Sequence, residues 1–207
     1  MQAPALKFVS EEEYWTLEET SPVRHEYWDG QLWAMAGGTA NHSALTVRIA
    51  GLCDAKLRGK SCRVFGSDLR VKVAKSNKQF NTYPDVSIAC PPFEWEKKRS
   101  NVKDTLLNPR VLFEVLSPST SDYDRTLKFD QYKLIESLSD YVIIWQDRVR
   151  IEHFHRENER WMQQSFTRRT DTFELPDLEV TLSLEEIYEG VDVPEDLRLI
   201  PDLEDED

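Results

Sequence analysis

The alternation of apolar and polar positions divides the chain into short elements. Ser10-Glu11-Glu12-Glu13 opens a helix with a capping box, Ser10 capping and Glu13 reaching back, and the helix runs to about Glu19 ahead of Ser21-Pro22. His25–Trp28 and Gln31–Met35 flank Asp29-Gly30, the two-residue turn that a right-twisted hairpin prefers. Thr39 opens a second helix carrying Leu45, Ile49 and Leu52, which ends near Gly59. Cys62–Phe65 and Leu69–Val73 read as strands, and residues 74–82 as a polar loop. Val86–Cys90 is a short strand stopped by Pro91-Pro92, and a long basic loop follows it.

The most hydrophobic run is Val111–Leu116, the pattern of a strand buried on both faces. Residues 122–137 then predict a helix with an apolar stripe of Tyr123, Leu127, Leu134 and Leu138, and Tyr141–Trp145 a second buried strand. Strand, helix and strand make a parallel crossover unit. Val149–Phe154, Trp161–Phe166 and Leu178–Leu182 form an antiparallel extension, and Ser183 caps a short last helix. The expectation is an α/β fold, a mixed central sheet flanked by helices, with an N-terminal hairpin and an antiparallel C-terminal extension. One domain spans 1–191, and 192–207 is a solvated acidic tail.

Composition narrows the classes. At 207 residues with 40% hydrophobic content, the chain builds a core without disulfides. No apolar run approaches the ~20 residues of a membrane span, and the N-terminus lacks the apolar segment of a signal peptide. Three scattered cysteines without a CxxC fit a reducing cytoplasm. No nucleotide-binding glycine loop is present, so no nucleotide cofactor is expected. The formal charge of −12 argues against a polyanionic partner until it is divided by region. Residues 56–110 hold 13 basic and 5 acidic groups, half of all the positive charge, while 192–207 hold 1 and 8. Within the basic block, Arg70, Lys72 and Lys75 are candidate phosphate contacts, with His42 near a helix start.

Glu114 is the chemical outlier. A carboxylate inside a buried strand persists when it is paired, protonated or bound to a metal. Asp85, after Pro84, begins a strand of similar character. Either Asp85 caps its strand and Glu114 pairs with a buried base, or the two converge on a divalent cation, since Mg²⁺ needs one or two carboxylates. Glu26, between His25 and Tyr27, is either a third acidic group there or an exposed strand residue. His153 and His155 share a strand face with no third ligand nearby in sequence, and read as surface decoration.

Thr82-Tyr83-Pro84-Asp85, then Phe113-Glu114-Val115-Leu116-Ser117-Pro118-Ser119-Thr120, then Asp124 with Lys128 and Tyr132, resemble the Uma-type family of bacterial restriction-endonuclease-like proteins. This is a branch of the PD-(D/E)XK nuclease superfamily, and the resemblance covers roughly residues 10–190. It implies a restriction endonuclease-like core and a Mg²⁺-dependent (Mn²⁺ as substitute) endonuclease acting on DNA. Asp85, Glu114 and the Val115 backbone carbonyl would hold the metal, with Glu26 as a further acidic residue. Where the superfamily places its lysine two residues after the acid, this chain has Leu116, and the resemblance implies that Lys128 from the next helix substitutes. One active centre per chain implies a homodimer for cutting both strands. The alternative is a non-catalytic nucleic-acid-binding or assembly protein on the same scaffold.

Overall fold

Val111–Leu116 (β8) is buried at all six positions because both of its faces are covered. In this computed structural model, which describes residues 8–35, 37–74, 78–96, 104–116 and 123–196, β8 lies inside a six-stranded sheet. Its order is β11-β10-β9-β8-β6-β3, where β3 is Arg63–Gly66, β6 Val86–Ala89, β9 Asp140–Trp145, β10 Ile151–Glu157 and β11 Arg160–Phe166. Only β8 and β9 run parallel, as a crossover connection requires, and the other pairs are antiparallel.

Strand alternation sends Val111, Phe113 and Val115 to one face, where they meet Leu45, Ile49 and Cys53 of α2 (Ala40–Lys56). Thr39 caps α2 by accepting the His42 N–H at 3.1 Å. Leu112 and Leu116 turn to the other face, toward Phe129, Tyr132 and Tyr141. A second, five-stranded sheet covers that face. It has the order β2-β1-β5-β4-β7, built from β1 (His25–Trp28), β2 (Gln31–Ala34), β4 (Arg70–Lys72), β5 (Phe80–Thr82) and β7 (Thr105–Leu106). Its Val71, Phe80 and Leu106 join the same apolar cluster. The β1–β2 turn has Asp29 at φ 48° and Gly30 at φ 87°, and a Cβ on Gly30 would lie 2.2 Å from the Phe8 ring.

The architecture is the expected mixed α/β fold, with several corrections. The predicted single central sheet is two sheets, with a separate hairpin of β12 (Thr172–Leu175) and β13 (Val180–Ser183) in place of one strand at 178–182. β5 and β7 fall in segments read as loop, because strands of three and two residues are too short to show alternation. The helix expected over 122–137 is, among described residues, a π-helical turn at Asp124–Lys128 followed by α3 (Phe129–Tyr132). A π turn holds an extra residue and rotates the next helical turn about the axis. Asp124, Lys128, Phe129 and Tyr132 are therefore buried, while Leu134 is 42% exposed.

Three further readings change. Cys62 and Cys90 form a disulfide, because they sit one residue beyond the Arg63–Ala89 pair of antiparallel β3 and β6. This removes the inference from reduced cysteines; no helix among the described residues is long and apolar enough to cross a membrane. The acidic end is not wholly solvated: Val149 N–H bonds to the Pro194 carbonyl, and buried Asp196 pairs with Arg150 at 3.2 Å.

Arg70 is not a surface phosphate contact, since it is 1% exposed and its donors are spent inside the protein. Its guanidinium reaches Glu18 of α1 (Glu11–Thr20) at 2.9 Å, the Tyr83 hydroxyl at 2.6 Å and the Thr105 hydroxyl at 3.3 Å, with Trp15 stacked 4.6 Å away. Lys72 is likewise held, by Glu96 at 2.6 Å and Glu11 at 3.4 Å. Lys75 lies outside the described residues. Truncating Arg70 leaves Glu18 buried beside an uncompensated cavity. Arg70→Ala is expected to lose about 3–5 kcal/mol in urea unfolding, and a loss below ~1 kcal/mol would assign Arg70 to the surface after all.

Candidate active site

Four elements converge where the second face of the large sheet meets β1 and β5. Lys128, at the end of the π turn, is 4% exposed, and its ammonium lies 2.8 Å from Glu114 Oε1 on β8 and 2.9 Å from Glu26 Oε1 on β1. Asp124, one helical turn earlier, is 3.3 Å away. Tyr132 donates its hydroxyl to Glu114 Oε1 at 2.9 Å. The Thr82 hydroxyl and Tyr83 N–H both donate to Glu26 Oε1, which fixes that carboxylate from β5. Asp124, Lys128 and Tyr132 reach the sheet together because they are four apart and the π turn faces them inward.

Asp85 enters from the neighbouring strand. Val86 pairs with Phe113, so Asp85 stands across from Glu114 in the antiparallel register. Its Oδ2 accepts the Val115 N–H at 2.7 Å and lies 3.3 Å from His42 Nε2 at the start of α2. The structure thus gathers Glu26, Asp85, Glu114, Lys128 and His42 in one place and puts Val115 on the same strand. It leaves Arg70 and Lys72 in other contacts. Asp124, Tyr132 and Thr82 were legible only as companions of the motif residues.

The electrostatics follow from burial. Desolvation works against the Lys128 charge, but Glu114, Glu26 and Asp124 outweigh it and hold the ammonium protonated. Burial pushes the Glu114 carboxyl well up; Lys128 opposes the rise, and Asp124, Asp85 and Glu26 add to it. The hydrogen bond to Asp85 raises His42 against its own desolvation. Counted as ionised, Glu26, Asp85, Glu114 and Asp124 face two cations in these contacts, Lys128 and His42. Tyr123, whose ring centre is 5.8 Å from the Lys128 ammonium, has a buried hydroxyl without a partner among the described residues. A hard cation suits this all-oxygen, negatively charged set. The carboxylates nonetheless turn toward the lysine and do not close to the spacing of a compact ligand cluster.

That spacing is met elsewhere. Among described residues, the one group of three ligand atoms all within 4.8 Å of each other is Asp140, His153 and His155. The two histidines are therefore not surface decoration. The third ligand comes from the adjacent strand rather than from nearby sequence, and His153 is 4% exposed.

The chain resembles known proteins along most of its length. Residues 11–185 match the family model Uma2, described as "Putative restriction endonuclease". A Synechocystis sp. chain named "Uncharacterized protein slr1290" is 35% identical over 184 residues, covering 88% of this chain and 93% of that one. A second, "Uncharacterized protein sll1609" of the same organism, is 31% identical over 163 residues, or 78% and 89% of the two chains. Among solved structures, "a putative nuclease belonging to DUF820 from Anabaena variabilis" superposes with a TM-score of 0.69 at 18% identity, over 89% of this chain and 99% of that one. The restriction endonuclease-like fold is shared at that distance.

The raised Glu114 has a consequence for stability. A carboxyl whose folded pKa is raised contributes stability that is present below its unfolded value, ~4.3, and lost as pH rises through the folded value. At pH 7 without divalent ions, Glu114→Gln is therefore expected to melt above the wild type, the gain shrinking as the pH is lowered toward 4. Melting curves in chelator check this, and a less stable variant at pH 7 would contradict it.

Proposed function

Because the chain belongs to the Uma2 family of restriction-endonuclease-like proteins, we propose that it is a metal-dependent endonuclease hydrolysing phosphodiester bonds of DNA. One observation carries the reading: a buried lysine ringed by three carboxylates, with Asp85 across from the central one. Asp85, Glu114 and the Val115 carbonyl would hold Mg²⁺ or Mn²⁺. Bound there, such an ion supplies a water of lowered pKa and neutralises charge on the phosphate.

The protein's own residues do the rest. Lys128 presents positive charge to the phosphoryl oxygens as water adds and the ester oxygen departs. Glu26, fixed by Thr82 and Tyr83, keeps the ammonium in place, and Tyr132 holds Glu114 in one orientation. His42, beside Asp85, stands ready to contact a neighbouring phosphate. Lys75 and the basic run 97–103 would bind the backbone without reading sequence, giving an affinity that falls with salt. Two copies related by a two-fold axis would cut both strands.

A panel of plasmid, linear and single-stranded DNA with Mg²⁺ or Mn²⁺ tests the reading. Wild type should nick or cut, Asp85→Ala and Glu114→Ala should be inactive while folded, and Lys128→Ala should lose on the order of 10²–10³-fold in rate. Unchanged cleavage by Glu114→Ala would sink the assignment. DNA retarded but uncut under every ion would favour a binding module.

A further inference from the structure

We propose that Asp140, His153 and His155 form a second metal centre, selective for a first-row transition ion such as Zn²⁺ and separate from the acidic site. Asp140 opens β9, and His155 stands directly across from it on β10, with His153 opposite Val142. Residues 153 and 155 share a strand face, so the antiparallel register brings all three side chains to one side of the sheet. His153 Nε2 and His155 Nδ1 lie 2.7 and 2.8 Å from the same carboxylate oxygen, Asp140 Oδ1. The other oxygen, Oδ2, accepts the Ser139 hydroxyl at 2.6 Å, an outer contact that sets the orientation of the carboxylate.

The donors fit an ion in number and spacing. Zn²⁺ takes imidazole nitrogen and carboxylate oxygen at about 2.0–2.2 Å, so its ligand atoms stand roughly 3.3 Å apart. The two histidine–carboxylate contacts, at 2.7 and 2.8 Å, reach that spacing by opening about half an ångström, and all three ligand atoms already lie within 4.8 Å of one another. His155, whose side chain is 21% exposed beside a fully buried Asp140, is the ligand with room to move and the route of entry. Two imidazoles and one carboxylate favour Zn²⁺ and its neighbours over Mg²⁺, which prefers oxygen. Three protein ligands leave a coordination position for water or a further group.

This centre is independent of the endonuclease reading. Asp140 shares its strand face with Val142, which packs toward α2, whereas Glu114 shares its face with Leu112 and Leu116 on the opposite side. Asp140 pairs with Val111, three residues before Glu114, about 10 Å away along the strand. A metal here would clamp the start of β9 to β10, at the far end of the strand pair from the acidic cluster.

Calorimetric titration of the chelator-stripped full chain with Zn²⁺ should show one strong site and a raised melting temperature, and in Glu114→Ala, where the acidic site is disabled, Zn²⁺ should still raise the melting temperature while Mg²⁺ does not. His155→Ala should weaken Zn²⁺ binding by more than 100-fold, and Ser139→Ala by roughly 10–100-fold, as loss of an outer contact does. Glu114→Ala should bind Zn²⁺ as the wild type does, whether or not it cuts DNA. The Co²⁺ complex of the wild type decides without any variant: two hyperfine-shifted imidazole signals support the centre. No one-to-one Zn²⁺ site, no shifted imidazole signal, undiminished binding by folded His155→Ala, or loss of binding in Glu114→Ala would each overturn it.

Discussion

An ammonium group and three carboxylates are buried together around Lys128, and much of the fold exists to make that tolerable. Taking one such charge out of water costs several kcal/mol, recovered only when partners are close and their remaining hydrogen-bonding sites are filled. Here each partner comes from a different element: Glu26 from the first hairpin, Glu114 from the central strand, Asp124 from the same helical turn. Thr82 and Tyr132 then add hydrogen bonds to the same oxygens that face Lys128, Glu26 Oε1 and Glu114 Oε1. The five-stranded sheet is not an ornament on the core. It brings Glu26 and Thr82 over the second face of β8, and without it Lys128 would lose one of its three carboxylate partners.

The π turn serves the same constraint. A regular α-helix with the predicted stripe would bury Leu127 and Leu134 and leave Lys128 near the surface. The π turn instead centres the lysine, keeping Leu127 partly buried against the second-face cluster and leaving Leu134 exposed. Such distortions concentrate where function outweighs regular packing. Leu116, two residues after Glu114, packs among the apolar residues of the second face. The chain thus has room for one buried ammonium beside Glu114, and the helix supplies it.

How far this was legible depended on whether the determining contact is local. The capping box at Ser10, the Asp29-Gly30 turn, α2 and the strand pair around Glu114 follow from patterns within a few residues, and all are present. Glu114 stood out because its cost could be judged from its neighbours alone. Arg70 could not be judged so, since its partners Glu18, Tyr83 and Thr105 are 52, 13 and 35 residues away. The same holds for Cys62 with Cys90 and for Asp140 with His153 and His155, where strand register rather than spacing makes the contact. The helix failed for another reason: a π turn leaves no mark in apolar periodicity.

Charge shows the same dependence on register at a larger scale. The basic block 56–110 looked like a surface field that could attract a polyanion despite the net −12. Among the described residues, six of its cations are instead tied to acids that lie elsewhere in the chain: Lys56 to Glu186, Lys60 to Glu179, Arg70 to Glu18, Lys72 to Glu11, Lys78 to Asp29 and Arg110 to Asp177. The block and the acidic remainder are two halves of one set of ion pairs that fasten α1, the hairpin and the C-terminal segment to the sheets. Exposed pairs of this kind contribute little stability each and are screened by salt, yet they lower the local field available to a distant phosphate. An approaching DNA backbone would then depend less on a broad basic surface than on a few cations close to the cleavage point. On the proposed endonuclease reading, attraction would concentrate where the carboxylate cluster gains a divalent ion, so that backbone binding and catalysis would share one electrostatic cause.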